Sequence, residues 1–114
     1  LRARETVREI YLDEKVEQYI LDLVFATREP VNYGLGDWAP YISVGASPRA
    51  TINMALAAKA AAFMDRRGYV TPDDVKSVIY SVLRHRIGLS FEAEAEQVQA
   101  EDIIEKLVAQ VEVP

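Results

Sequence analysis

One arginine stands at an electrostatically unusual place. Residues 45–51 read Gly-Ala-Ser-Pro-Arg-Ala-Thr, an order that predicts the start of a helix. Ser47 can accept a hydrogen bond from a first-turn amide, and Pro48 has no N–H to leave unsatisfied. Arg49 then falls at about the second helical position. The aligned peptide dipoles already make that end of a helix positive, so a cation gains nothing there from the helix itself. It gains if an anion arrives. With the free amides of the first turn, the guanidinium would complete a phosphate-sized site. The plainer alternative is a solvated arginine beside an ordinary cap.

Other chemistry is sparse. With no cysteine, disulfides and thiolate metal sites are excluded, and a single histidine, His85, excludes a histidine cluster. A Ser–His–acid set would need His85 as base, and no nucleophile is placed beside it. His85 therefore reads as a packing or capping residue. The chain lacks a G-x-x-x-x-G-K-[ST] phosphate loop, and Gly34-Leu35-Gly36 does not replace one. No hydrophobic run ends in paired acids suited to Mg2+. Acids alternate with alanine from Glu92 to Glu96, but without calcium-loop spacing, so they read as a solvated face and no metal site is expected.

The elements that must position Arg49 fit within one domain of 114 residues, half apolar and 27% charged. The net charge of −5 argues against a nucleic-acid partner, although charge is unevenly spread. Residues 43–87 carry seven Lys/Arg against three acids, and residues 88–114 carry seven acids and only Lys106. A local anion site is compatible with this acidic average. No apolar run approaches the roughly 18 residues that span a membrane, and the start has no secretory pattern. The chain opens on Leu1 in the charged pattern of a helix. Residues 1–9 are expected to end a linker or helix from an upstream domain, with residues 10–114 forming the domain itself.

Four helices are expected. Asp13 caps the first, whose stripe is Val16, Tyr19, Ile20, Leu23 and Val24 and which ends near Glu29, because Pro30 disfavours helical geometry before it. Residues 30–44 form one long irregular stretch, rich in Tyr33, Trp38 and Tyr41, expected to pack over the helices; the alternative use is a docking surface around Trp38. The second helix is expected over residues 48–67, ending before Gly68 as the C′ glycine, with Ile52, Ala55, Leu56, Lys59, Ala60 and Phe63 on one face. Arg66 and Arg67 would stabilise its last turn. Thr71-Pro72-Asp73-Asp74 opens the third, with Val75, Val78, Ile79, Val82 and Leu83 as its stripe. Residues 100–111 form the fourth, carrying Ile103, Ile104, Leu107, Val108 and Val111. The expected fold is all-α: a small four-helix bundle with one long ordered loop between helices one and two.

At this point the residues carry a resemblance. Gly45-Ala46-Ser47-Pro48-Arg49-Ala50-Thr51 resembles the sensor-2 motif of MoxR-type AAA+ ATPases. Ala26-Thr27-Arg28 is similar to the end of that family's first lid helix. Tyr69-Val70-Thr71-Pro72-Asp73-Asp74-Val75 and Leu83-Arg84-His85-Arg86-Ile87 are similar to its third. Glu92-Ala93-Glu94-Ala95-Glu96 and Val113-Pro114 resemble its end. Gln97 departs from the pattern where a turn-forming glycine is expected, which bears on the start of the fourth helix. The resemblance implies a lid domain closing over ATP held by an upstream α/β core, with ATP and Mg2+ as cofactors of the whole protein and no tight binding to this chain alone. It implies that Arg49 acts catalytically on the γ-phosphate while Ser47 and Pro48 fix its direction. It further implies a cytoplasmic ring of subunits, chaperone-like remodelling of other proteins, and a von Willebrand factor A-type companion. The reading without nucleotide is a standalone helical interaction module docking through the Trp38 loop.

Overall fold

The computed structural model of the chain describes Val7 and residues 9–114. The expected linker at residues 1–9 therefore lies, apart from Val7 and Glu9, outside the described residues. Helix α1 spans Glu14–Arg28, and the Asp13 carboxylate accepts the Lys15 N–H at 3.0 Å to start it. Its predicted stripe is the buried one: Val16, Tyr19, Ile20, Leu23 and Val24 all face the core.

The long stretch after α1 is ordered, as expected, but it is not merely a loop. Two 3-10 turns, Pro30–Tyr33 and Gly36–Tyr41, lead into strand β1, Ile42–Val44, which pairs antiparallel with β2, Gly88–Leu89. This ribbon was not expected. Three residues and two are too short to show an alternating pattern, and pairing between distant segments leaves no local trace.

Helix α2 runs over Ala50–Met64, which is shorter at both ends than expected. Its buried side consists of Ala50, Met54, Ala58 and Ala62, every fourth residue, whereas Ile52 is 61% and Leu56 41% exposed. The expected face is corrected accordingly. Apolar and small residues occupy nearly the whole circumference, so periodicity does not select a side; packing does. The alanines let α3 approach closely, and the α2–α3 pair makes the most extensive contact in the fold. Gly68 is not the C′ residue either. Arg66 takes that place at φ 59°, with its N–H on the Phe63 carbonyl and the Arg67 N–H on that of Ala62. Both arginines thus lie beyond the helix instead of in its last turn, while the Gly68 carbonyl accepts the Tyr11 N–H at 2.9 Å.

Helix α3, Pro72–Leu83, begins as predicted: Thr71 and Asp74 form a reciprocal capping box, with Pro72 in the first turn. Arg86 returns a guanidinium nitrogen to the Val82 carbonyl at 2.6 Å, and His85 is exposed, so of its two expected roles, packing or capping, packing does not hold. A short helix, α4, spans Phe91–Ala95 behind a Ser90 cap, with Glu92, Glu94 and Glu96 exposed. Gln97 follows at φ 61°, the left-handed geometry that a glycine would favour. Helix α5, Ala100–Gln110, starts on schedule despite that substitution and buries Ile103, Ile104 and Leu107. Among the described residues four long helices enclose one core, to which the ribbon and α4 add a cap over one end of the long stretch.

Candidate functional site

Residues 45–49 leave the ribbon, rest on the end of α1 and close into a turn before α2. Toward the ribbon, the Ser43 hydroxyl donates to the Leu89 carbonyl at 3.2 Å, and the Ser90 hydroxyl donates to that of Pro40 at 2.6 Å. Toward α1, the contacts are closer. A Cβ on Gly45 would lie 2.5 Å from the Thr27 carbonyl oxygen and 2.8 Å from the Arg28 Cα, so only glycine allows the two backbones to meet here. The next residue, Ala46, is fully buried, and its N–H donates to the Thr27 hydroxyl at 2.9 Å. That hydroxyl donates in turn to the Val24 carbonyl at 2.6 Å, while Arg28 Nη1 donates to the Ala46 carbonyl at 3.2 Å.

Toward α2, the chain tightens into a turn. The Arg49 N–H donates to the Ser47 hydroxyl oxygen at 3.2 Å, the Ala50 N–H to the Ser47 carbonyl at 2.8 Å, and the Thr51 N–H to the Pro48 carbonyl at 3.1 Å. Ser47 accepts an amide as expected, but the amide belongs to the turn that precedes α2. Arg49, however, occupies the N-cap position of α2 instead of the second helical one. The expectation of free first-turn amides is also corrected: the turn itself consumes them, so no backbone cradle remains for a phosphate.

What the site offers an anion is one side chain. Arg49 is exposed, and its guanidinium makes no hydrogen bond or ion pair with any described residue. Its mount is rigid and its head is free. Such an arrangement does no chemistry alone, but it can present a planar, permanent cation to a phosphate carried by another body. Among the described residues no group of three His, Cys, Asp or Glu side chains is placed to hold a metal ion. None of the described helices is long and apolar enough to cross a membrane.

The structure brings Ser47, Pro48 and Arg49 together as one turn and adds Thr27, Arg28 and Gly45 as its support. Residue spacing did not identify the support, because the Thr27 hydroxyl meets an amide nineteen residues away. Trp38 lies elsewhere. It is half-buried, edge-on to Tyr41 with ring centroids 5.6 Å apart, and covered by Lys106 Nζ at 5.8 Å from its ring centre. This is the packed loop expected, not a free aromatic anchor.

The chain is similar to known proteins across this whole region. The AAA lid domain family matches residues 38–107. Chaperone MoxR1 of Mycobacterium tuberculosis is 36% identical over 114 residues, which is all of this chain and 30% of that protein. Protein MoxR of Paracoccus denitrificans is 39% identical over 79 residues, covering 66% of this chain and 23% of that protein. A crystal structure of a protein from Cytophaga hutchinsonii, named provisionally as an ATPase, superimposes with a TM-score of 0.93 at 46% identity, over 96% of this chain and 33% of that one. The chain thus spans about a third or less of the length of these relatives.

Proposed function

The chain belongs to the AAA lid domain family, in its MoxR-type branch, and on that premise we propose that it closes over ATP held by a separate α/β core, with Arg49 reaching the γ-phosphate. The observation that carries this reading is the Arg49 guanidinium, unpaired among the described residues, on a turn that is closed by Ser47 and held at its base by the end of α1. The residues present fit one phosphate contact and no more. The turn's amides are occupied and the described residues offer no carboxylate cluster; in this reading ATP and Mg2+ are held by the core.

Bound Mg2+ supplies charge neutralisation at the phosphates. This chain contributes an arginine that stays charged at every working pH and whose planar fork suits phosphoryl oxygens. Arg49 binds and orients the γ-phosphoryl group and stabilises the negative charge that spreads over its oxygens as water displaces the nucleoside diphosphate. Once phosphate leaves, that contact is lost, and the lid is free to rotate against the core. Ser47 and Pro48 act indirectly, by fixing the turn from which Arg49 extends. In the whole protein this cycle drives chaperone-like remodelling by a cytoplasmic ring of subunits, with a von Willebrand factor A-type protein as a companion.

Steady-state ATP hydrolysis by the full-length protein tests the reading. Arg49→Ala lowers the turnover number while ATP affinity stays within about tenfold of the parent, as expected for an interaction made mainly in the transition state. Unchanged turnover together with unchanged affinity would refute it.

A further inference from the structure

Thr27 and Arg28 sit at the end of α1, distant in sequence from the turn that carries Arg49, yet both hydrogen-bond Ala46 at its base. We infer that these two residues are positioning residues for Arg49, an inference that rests on Arg49 being directed at phosphate. Thr27 is 1% exposed, and its hydroxyl is used twice: it donates to the Val24 carbonyl at 2.6 Å and accepts the Ala46 N–H at 2.9 Å. The first bond fixes the rotor, so the lone pair offered to Ala46 has one direction. Arg28 then holds the other side of the same peptide segment through the Ala46 carbonyl at 3.2 Å. Gly45 rests directly on the Thr27 carbonyl, with no space for even one added carbon.

Little slack separates this clamp from the guanidinium. Between Ala46 and Arg49 stand only Ser47 and Pro48. The Pro48 ring fixes one dihedral, and the Ser47 hydroxyl takes the Arg49 N–H at 3.2 Å. The place of Ala46 therefore sets the place of the Arg49 Cα, and the end of α1 sets the place of Ala46. Misplacing a catalytic group by about 1 Å costs on the order of 10²-fold in rate. The clamp makes α1 and the Arg49 turn move as one body, so a rotation of the lid is delivered to the guanidinium undiminished.

The test is a double-mutant cycle in the full-length protein, read as kcat and KM for ATP hydrolysis. Thr27→Val keeps the shape and removes the hydroxyl; it lowers kcat about tenfold with KM changed less than about threefold. Thr27→Ser, which keeps the hydroxyl, restores kcat to within about twofold of the parent. In an Arg49→Ala background, Thr27→Val lowers kcat no further, because the residue acts only through Arg49. Arg28→Met removes the exposed half of the clamp without opening the core, and shows a smaller fall, about threefold, that also vanishes in that background. Should Thr27→Val fail to fold, the Arg28 cycle decides by the same criteria. Parental kcat in Thr27→Val, or an equal fall in both backgrounds, would overturn the positioning role. A parental kcat in Arg49→Ala alone would instead overturn the reading beneath it.

Discussion

Arg67 and Asp74 form a two-pronged ion pair, with Nη1 2.7 Å from Oδ2 and Nη2 2.6 Å from Oδ1. The same carboxylate accepts the Thr71 N–H at 2.8 Å and the Thr71 hydroxyl at 3.2 Å, so it both caps α3 and closes the turn that follows α2. Arg67 also donates to the Tyr69 carbonyl at 3.1 Å and to Asp65 at 3.1 Å. The α2–α3 connection is thus wound around one guanidinium. This arrangement accounts for Arg66 holding φ 59° without a glycine: the ion pair next door fixes the path of the chain.

The pair makes the domain sensitive to acid. Hydrogen bonds from Arg67 hold the Asp74 carboxyl below the usual carboxylate range, against the opposing effect of burial and with the help of Thr71. A depressed folded-state pKa contributes stability that is fully present above the unfolded value of about 3.9 and is lost as pH falls through the folded one. Asp74→Asn should therefore unfold at lower urea concentration than the parent at pH 7, with a gap that holds down to about pH 5 and closes under stronger acid. A gap of the same size at every pH would contradict this.

Gln97 occupies a glycine's geometry. Its N–H reaches the Glu94 carbonyl and the Val98 N–H reaches that of Ala93, the paired bonds that end a helix through a left-handed residue. That conformation costs an L-residue about 1–2 kcal/mol, partly offset by the greater freedom of glycine in the unfolded chain. Gln97→Gly should raise stability by about 0.5–1 kcal/mol, visible as a higher midpoint in thermal unfolding. A lowered midpoint would show that the Gln97 side chain stabilises the turn.

The two sides of α2 should respond oppositely to substitution. Ala58 is fully buried, so Ala58→Leu forces the helices apart and costs about 1–3 kcal/mol or more. Leu56 is 41% exposed, and Leu56→Ala in this domain should cost less than about 1 kcal/mol. Urea midpoints of the two variants check the assignment. The reverse order would mean that the sequence-derived face was the correct one.

That face shows where sequence reasoning stops. The starts of α1 and α3 were legible because Asp13 and the Thr71–Asp74 box act within one turn of their own residues. The stripe of α5 was legible because polar residues interrupt it. In α2 only Thr51, Asn53 and Lys59 break the apolar and small residues, too few to mark one side, so its side is chosen by what α3 presents. The ribbon joining residues 42–44 to 88–89 was hidden for a similar reason. Ser47 and Pro48 correctly announced a helix start, but whether its amides remained free depended on how tightly the turn closed. The support from Thr27 and Arg28 is a contact between distant segments; those residues entered only through resemblance.

The central claim concerns a single side chain acting after ATP is bound, so a single turnover of prebound ATP tests it most directly. Full-length parent and Arg49→Ala are loaded with ATP, Mg2+ is added, and the first round of hydrolysis is followed by rapid quench. Loss of one preorganised charge contact in the transition state predicts a first-turnover rate lower by about 10²-fold or more, with the ATP dissociation constant shifted by less than about tenfold. A first-turnover rate equal to the parent's would contradict the account.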